Sequence, residues 1–201
     1  PDEVAPDDAS VEPPADEAVE EELAGEESEA VAAEDDELPK PYREWLDEAI
    51  KDVASEDDDI QVKAIGRLGS AVLYCDDAAD VLIEQLDDSN IPDHRSSAIG
   101  SLGKLAPRSP KAADALCDYL HELVLNPSED NAGLDYLAVL AVGEAGPIAS
   151  AAWEDVFEVA QTTEDEWPLR GIIVAMGSLG VYDPEIEAFL TERSQGDNPA
   201  I

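Results

Sequence analysis

Apolar residues along this chain follow a helical period, not the two-residue alternation of strands. Ile60, Ala64, Ile65, Leu68 and Val72 fall at i, i+4, i+5, i+8 and i+12, and Leu169, Ile172, Ile173, Met176 and Leu179 follow a similar spacing. Such a pattern places one apolar stripe on each helix. A second set of stripes alternates with these: Trp45, Leu46, Ala49, Ile50 and Val53; Ala79, Leu82, Ile83 and Leu86; Leu116, Leu120, Leu123 and Val124; Val156, Phe157, Val159 and Ala160. The pattern predicts nine helices, over 41–54, 59–73, 76–87, 92–106, 110–125, 132–146, 150–162, 167–180 and 183–194. Turn chemistry separates them. Ser55 is placed to cap a helix, and Glu56-Asp57-Asp58-Asp59 puts acids where a helix N-terminus favours them. Pro92, Pro110, Pro168 and Pro184 stand where a first turn tolerates a missing donor.

A short motif, an apolar residue between Ala and Gly, recurs four times: Ala64-Ile65-Gly66, Ala98-Ile99-Gly100, Ala141-Val142-Gly143 and Ala175-Met176-Gly177. A second glycine follows three residues later each time, at Gly69, Gly103, Gly146 and Gly180. The first glycines are 34, 43 and 34 residues apart. A period of that size marks a solenoid, whose units bury their apolar faces against one another. Glycine in a helix costs about 1 kcal/mol relative to Ala. Gly66, Gly100, Gly143 and Gly177 at one register are therefore expected where stacked backbones approach, and packing is a sufficient reason for them. Most of the extra length in the 43-residue interval is Asn126–Gly133, expected to be a loop that is either a recognition element or a tolerated insertion.

Helix, acidic turn, then a helix bearing Ala-Ile-Gly-Arg-Leu-Gly or Ala-Ile-Gly-Ser-Leu-Gly resembles HEAT repeats, particularly the short HEAT-like repeats named after phycobilisome lyases. The resemblance covers residues 41–194. It implies an all-α fold, a right-handed α-solenoid of about four helical pairs plus a terminal helix, with the glycine-bearing helices on the concave side. The family's apolar–Arg opening of the second helix is only approximated by Val62-Lys63 and Leu169-Arg170. A 34-residue interval also fits tetratricopeptide repeats, and Ala78 and Ala112 fall 12 residues after Gly66 and Gly100 as they do there. Gly69 and Gly103 stand where that family usually has Tyr, which favours the HEAT-like reading.

Composition divides the chain. Residues 1–39 hold 17 of the 50 acidic residues, none of the 11 basic ones and only two leucines, Leu23 and Leu38. Such a segment buries too little apolar surface to offset chain entropy and is expected to be a disordered acidic tail. Residues 40–201, the repeat domain, keep a net charge of −22. That sign disfavours nucleic acid and anionic membranes, since phosphate contacts come from Lys and Arg. No apolar run is expected to span a membrane. Pro1 in place of Met, ahead of a flexible acidic segment, is read as a lean towards an exported or lipid-anchored extracytoplasmic protein tethered through a missing N-terminus. A fragment of a longer chain fits equally, and a cytoplasmic protein of a halophile is the alternative.

Two cysteines exclude a disulfide framework and a four-cysteine zinc site. Cys117 is expected to be a small buried hydrophobe and Cys75 the more exposed of the two. His94 and His121 lie on different repeats with no ligand-spaced partner, so no metal site is expected. The deoxyhypusine hydroxylases, a HEAT-like enzyme class, bind two irons through several His-Glu pairs. His121-Glu122 alone cannot supply such a set. The glycine motifs lie in helices and are not phosphate loops, Glu56–Asp59 lacks the spacing of a calcium loop, and no nucleophile elbow occurs. No catalytic, cofactor-binding or metal residues are assigned.

The remaining signal is on the surface. Asp80 and Asp114, like Glu84 and Asp118, are 34 residues apart, and stacking would align them into an acidic ridge. Glu154 and Glu158 extend it. The ridge is either a hydrated face or an attractor for a basic partner. The glycine-bearing helices carry little charge, as expected of buried helices or of an uncharged groove for a peptide or helix. The sequence thus points to a non-enzymatic protein–protein interaction scaffold or adaptor of HEAT-repeat type. The rival is an accessory or catalytic subunit of lyase type, with a small ligand in the concave face.

Overall fold

In the computed structural model, residues 40–87 and 89–195 are described. The expected acidic tail, residues 1–39, lies outside the described residues. Nine α-helices follow in order: α1 Lys40–Val53, α2 Asp58–Leu68, α3 Cys75–Glu84, α4 Pro92–Leu105, α5 Pro110–Leu125, α6 Leu134–Ala145, α7 Trp153–Thr162, α8 Glu166–Leu179 and α9 Pro184–Gln195. Short 3-10 turns at Glu129–Asn131 and Gly146–Ala152 complete them, and no strand occurs among the described residues.

The helices stack as pairs, α1 with α2, α3 with α4, α5 with α6 and α7 with α8. The result is an all-α solenoid of two layers: first helices α1, α3, α5, α7 and α9, and glycine-bearing second helices α2, α4, α6 and α8. Second helices pack on one another more extensively than first helices do. One continuous core runs between the layers, from Leu46 and Ile65 through Ile99, Leu116 and Val142 to Ile172 and Leu179.

Local chemistry sets the helix ends. Pro92, Pro110 and Pro184 each occupy the first position of their helix, while Pro168 is the third residue of α8. α2 is capped by Asp57, not Ser55 as expected: its carboxylate accepts from the backbone N–H of Asp59 and Ile60. Ser55 accepts from the Asp57 N–H instead and so shapes the turn before the cap. α2 also ends at Leu68, five residues short of the expected end. Ala71 is buried in the turn, whereas Val72 and Leu73 face solvent, so the apolar stripe does not run on through them. The stretch Leu134–Thr162 proves long and apolar enough to qualify as a membrane span by composition, contrary to expectation. Gly146 (φ 67°) breaks it, and α6 is packed against α4, α5 and α8.

The role expected of the recurring glycines is corrected by the stacking. A Cβ on Gly66, Gly100 or Gly177 would meet nothing within 4 Å. Those three face open space. Close approach falls instead at Gly69, where a Cβ would lie 2.9 Å from Ser101, and at Gly103, 3.0 Å from Ala141. Of the four first glycines only Gly143 packs as expected, its Cβ position lying 2.6 Å from the Ala175 Cβ. The contact therefore moves from the second glycine in α2 and α4 to the first in α6. The Ser101 hydroxyl completes the α2–α4 seam by donating to the Ile65 carbonyl at 2.9 Å.

Candidate functional site

Charge separates by layer. The five first helices carry 17 acidic and 5 basic residues, against 6 and 5 on the four second helices. Polar contacts tie neighbouring first helices together. Arg43 of α1 pairs with Asp77 of α3 at 2.7 Å, Lys111 of α5 pairs with Asp80 of α3, and His121 of α5 meets Asp155 of α7 at 3.0 Å. Ser109 adds to the second link, donating to Asp76 at 2.6 Å while capping α5. Along this face, a base on one repeat holds an acid on the next.

The expected ridge residues lie on adjacent first helices, Asp80 and Glu84 on α3, Asp114 and Asp118 on α5. All four are exposed. Asp80 is engaged by Lys111, so it acts as a link between repeats. Asp114 and Asp118 flank Cys117, whose thiol is pushed up to about 11, chiefly by burial and then by these two carboxylates. Cys117 is half-buried, less enclosed than expected. Cys75 opens α3, with its thiol donating to the Val72 carbonyl at 2.9 Å, and burial pushes its pKa up as well. Raised values leave both thiols protonated at neutral pH and poor nucleophiles.

The histidines lie in different surroundings. His121 is exposed on α5, and its hydrogen bond to Asp155 holds its pKa above the ordinary value. His94 is buried at the start of α4, and its Nε2 has no hydrogen-bond partner among the described residues. No three His, Cys, Asp or Glu side chains converge among the described residues as a metal site would need.

The second layer presents a different surface. Leu137, Trp167 and Val174 are exposed on α6 and α8, with Trp167 76% and Val174 69% accessible. Trp167 lies against Tyr136, ring centroids 6.1 Å apart. The loop Asn126–Gly133 is anchored to α4: the buried Arg95 donates to Asn131 Oδ1 at 2.6 Å and to the Asp130 carbonyl at 3.2 Å. Sequence reading did not single out Arg95 or Trp167. The only signal for Trp167 was a lone aromatic on a helix of low charge, and Arg95 shares α4 with Lys104.

Hollows among the described residues lie at the end of the solenoid, at the α2–α3 turn and beside the long loop. A groove of about 670 Å³ lies between α8 and α9, with buried Met176 and half-buried Ile173, Val181, Ile186 and Leu190 among its lining residues. Its polar lining is Asp183, Glu187 and Thr191, and the Tyr182 hydroxyl donates to Glu187 at 2.6 Å. A hollow of about 390 Å³ follows the α2–α3 turn from Val72 to Asp77 and reaches Arg108. A cavity of about 90 Å³ lies beside the Asn126–Gly133 loop.

Stacked antiparallel helix pairs with a continuous interlayer core define an α-solenoid. Residues 44–125 match the family model of HEAT repeats, and helices α6 to α8 continue the stacking beyond the match. Over the matched residues the chain is similar to HEAT repeats, within an all-α solenoid. The match is to HEAT repeats in general and carries nothing of the phycobilisome-lyase subtype. No curated protein matches the chain.

Proposed function

We propose that this protein is a non-enzymatic interaction scaffold or adaptor whose second-helix layer receives another protein. The observation that carries this reading is the segregation of charge. In a domain of net charge −22, acids crowd the first helices, while the second layer is close to neutral and exposes Leu137, Trp167 and Val174. A large exposed aromatic on a weakly charged surface is the usual anchor of a protein interface. The acidic first-helix face, with Glu84, Asp114 and Asp118, speeds encounter with a basic partner and keeps the chain soluble. A lyase-type ligand site needs polar groups converging in an enclosed pocket. The α8–α9 groove has a mainly apolar lining, which favours a macromolecular partner.

Affinity capture from the native host tests the reading with three baits: the wild type, Trp167→Ser/Val174→Ser, and Glu84→Gln/Asp114→Asn/Asp118→Asn. The expected result is a protein retained by the wild type, lost with the first variant and retained with weaker salt dependence by the second. Retention that is equal across all three baits contradicts it.

A further inference from the structure

Gly171 lies inside α8 and belongs to none of the recurring Ala–apolar–Gly motifs. A glycine there costs about 1 kcal/mol of helix propensity relative to Ala, and its packing shows what it serves. A Cβ at Gly171 would lie 2.7 Å from the Tyr136 hydroxyl oxygen and 3.1 Å from Leu140. The missing side chain is thus the seat of Tyr136, whose ring is left against Trp167 with the planes tilted by 51°. The pair forms a preset aromatic platform on the second layer, with Trp167 the exposed member.

Cations cover other rings of the domain. Arg67 lies 5.7 Å from the centre of the Trp45 ring, Arg43 5.1 Å from that of Tyr74 and Arg193 5.2 Å from that of Phe189. Among the described residues no cation is stacked on Trp167. Arg170, the only base on α8, turns to Glu166 at 3.1 Å. Carboxylates flank the platform: Asp135 directly precedes Tyr136, and Glu164 and Asp165 stand just ahead of Trp167. Asp165 is the N-cap of α8 yet accepts no capping bond, so its carboxylate is uncommitted. The helix dipole alone favours an acid at such a position, so these acids do not make a site by themselves. Beside a preset aromatic face with no cation of its own, they fix the sign of charge that the face attracts.

We infer that the Tyr136–Trp167 platform receives a Lys or Arg side chain of the partner protein, its charge stacked on Trp167 and met by Asp135 and Asp165, with an apolar neighbour on Leu137 and Val174. The negative face of an aromatic ring and the carboxylates attract the same charge, and Trp is the ring that attracts it best. A second copy of this chain is disfavoured as occupant because it would set carboxylates against carboxylates. This inference rests on the protein-binding reading and specifies the chemistry that its anchor recognises.

The test is an NMR titration of the full chain with a blocked tripeptide, Leu-Arg-Leu, and with its twin bearing citrulline, which keeps the shape of Arg and lacks its charge. The amide shift of Gly171 reports binding in every variant. Saturable shifts with the Arg peptide are expected. Binding should be roughly three- to fivefold weaker for the citrulline peptide, for Trp167→Leu and for Asp135→Asn/Asp165→Asn. Asp58→Asn/Asp59→Asn removes the same charge from the start of α2, away from the platform, and should leave binding unchanged. Wild-type-like melts confirm that the variants fold. Absence of saturable binding at Gly171, or equal binding of the two peptides, overturns the inference. If a partner captured by the wild type is still lost with Trp167→Ser/Val174→Ser, the protein-binding reading survives that result. Undiminished binding of the Arg peptide to Trp167→Leu also overturns the inference, because charge alone then suffices. A dimer seen in sedimentation without peptide and abolished by Trp167→Leu overturns it in favour of a second copy.

Discussion

Arg95 of α4 reaches across the 43-residue interval to Asn131, Nη1 to Oδ1 at 2.6 Å, from a side chain only 3% exposed. A second bond, Nη2 to the Asp130 carbonyl, makes the guanidinium a clamp on the inserted loop. The insertion is therefore held by the repeat before it. Arg95→Met should cost roughly 1.5–3 kcal/mol, the range for hydrogen bonds to a charged group. Arg95→Lys should recover part of this, because an ammonium cannot reproduce the two-pronged geometry. Thermal melting gives the magnitude, and limited proteolysis between Asn126 and Gly133 should accelerate in step.

The two kinds of glycine should respond oppositely to the same substitution. Gly66→Ala and Gly100→Ala add a methyl to open space and should stabilise by up to about 1 kcal/mol through helix propensity. Gly143→Ala drives a methyl to 2.6 Å from the Ala175 Cβ and 2.8 Å from its Cα. That overpacking should cost about 1–3 kcal/mol. Differential scanning calorimetry of the three variants checks the sign. A lowered melting point for Gly100→Ala would show that its open space is needed in the isolated fold.

The pair His121–Asp155 should make stability depend on pH. The folded pKa of His121 is raised, mainly by its hydrogen bond to Asp155. Its contribution is then fully present below the unfolded value, about 6.5, and is lost as pH rises through the folded value. Asp155→Asn should lower the melting point more at pH 5.5 than at pH 8.5. An NMR titration should show the His121 pKa falling towards the ordinary value in that variant. An unchanged titration would disconnect the pair.

Salt should stabilise the fold, since self-repulsion among the acids is screened as the Debye length shrinks from about 10 Å at 0.1 M to about 3 Å at 1 M. The ridge residues should divide. Neutralising Glu84, Asp114 and Asp118 should raise the melting point at low salt. Asp80→Asn should gain less or lose, because it removes the Lys111 link between α3 and α5. Melting curves at both salt concentrations separate the two groups.

Nearly all of the helical architecture was legible in the chain itself. Nine helices follow from apolar residues at a 3.6-residue period and from proline placed at three of the starts, both of which act locally. The acidic face was legible for a similar reason, because Asp80 and Asp114 recur at the repeat length. Ser55 was misread because capping depends on the φ and ψ of one residue. Asp57 offers the same chemistry two positions on.

What only the tertiary structure decided is which of two identical glycines meets a neighbour. Residues three apart lie only about 60° apart around a helix, so both glycines of each motif face nearly the same way. The choice between them depends on axial stagger between stacked helices. That stagger changes at α6, after the 43-residue interval and its Arg95 clamp. It leaves Gly143 filled by Ala175 and Gly177 open beside α9. Sequence alone determined that this chain stacks helices at a fixed period with its acids on one layer. Packing between repeats, which no local period encodes, decided which glycine of each motif meets its neighbour.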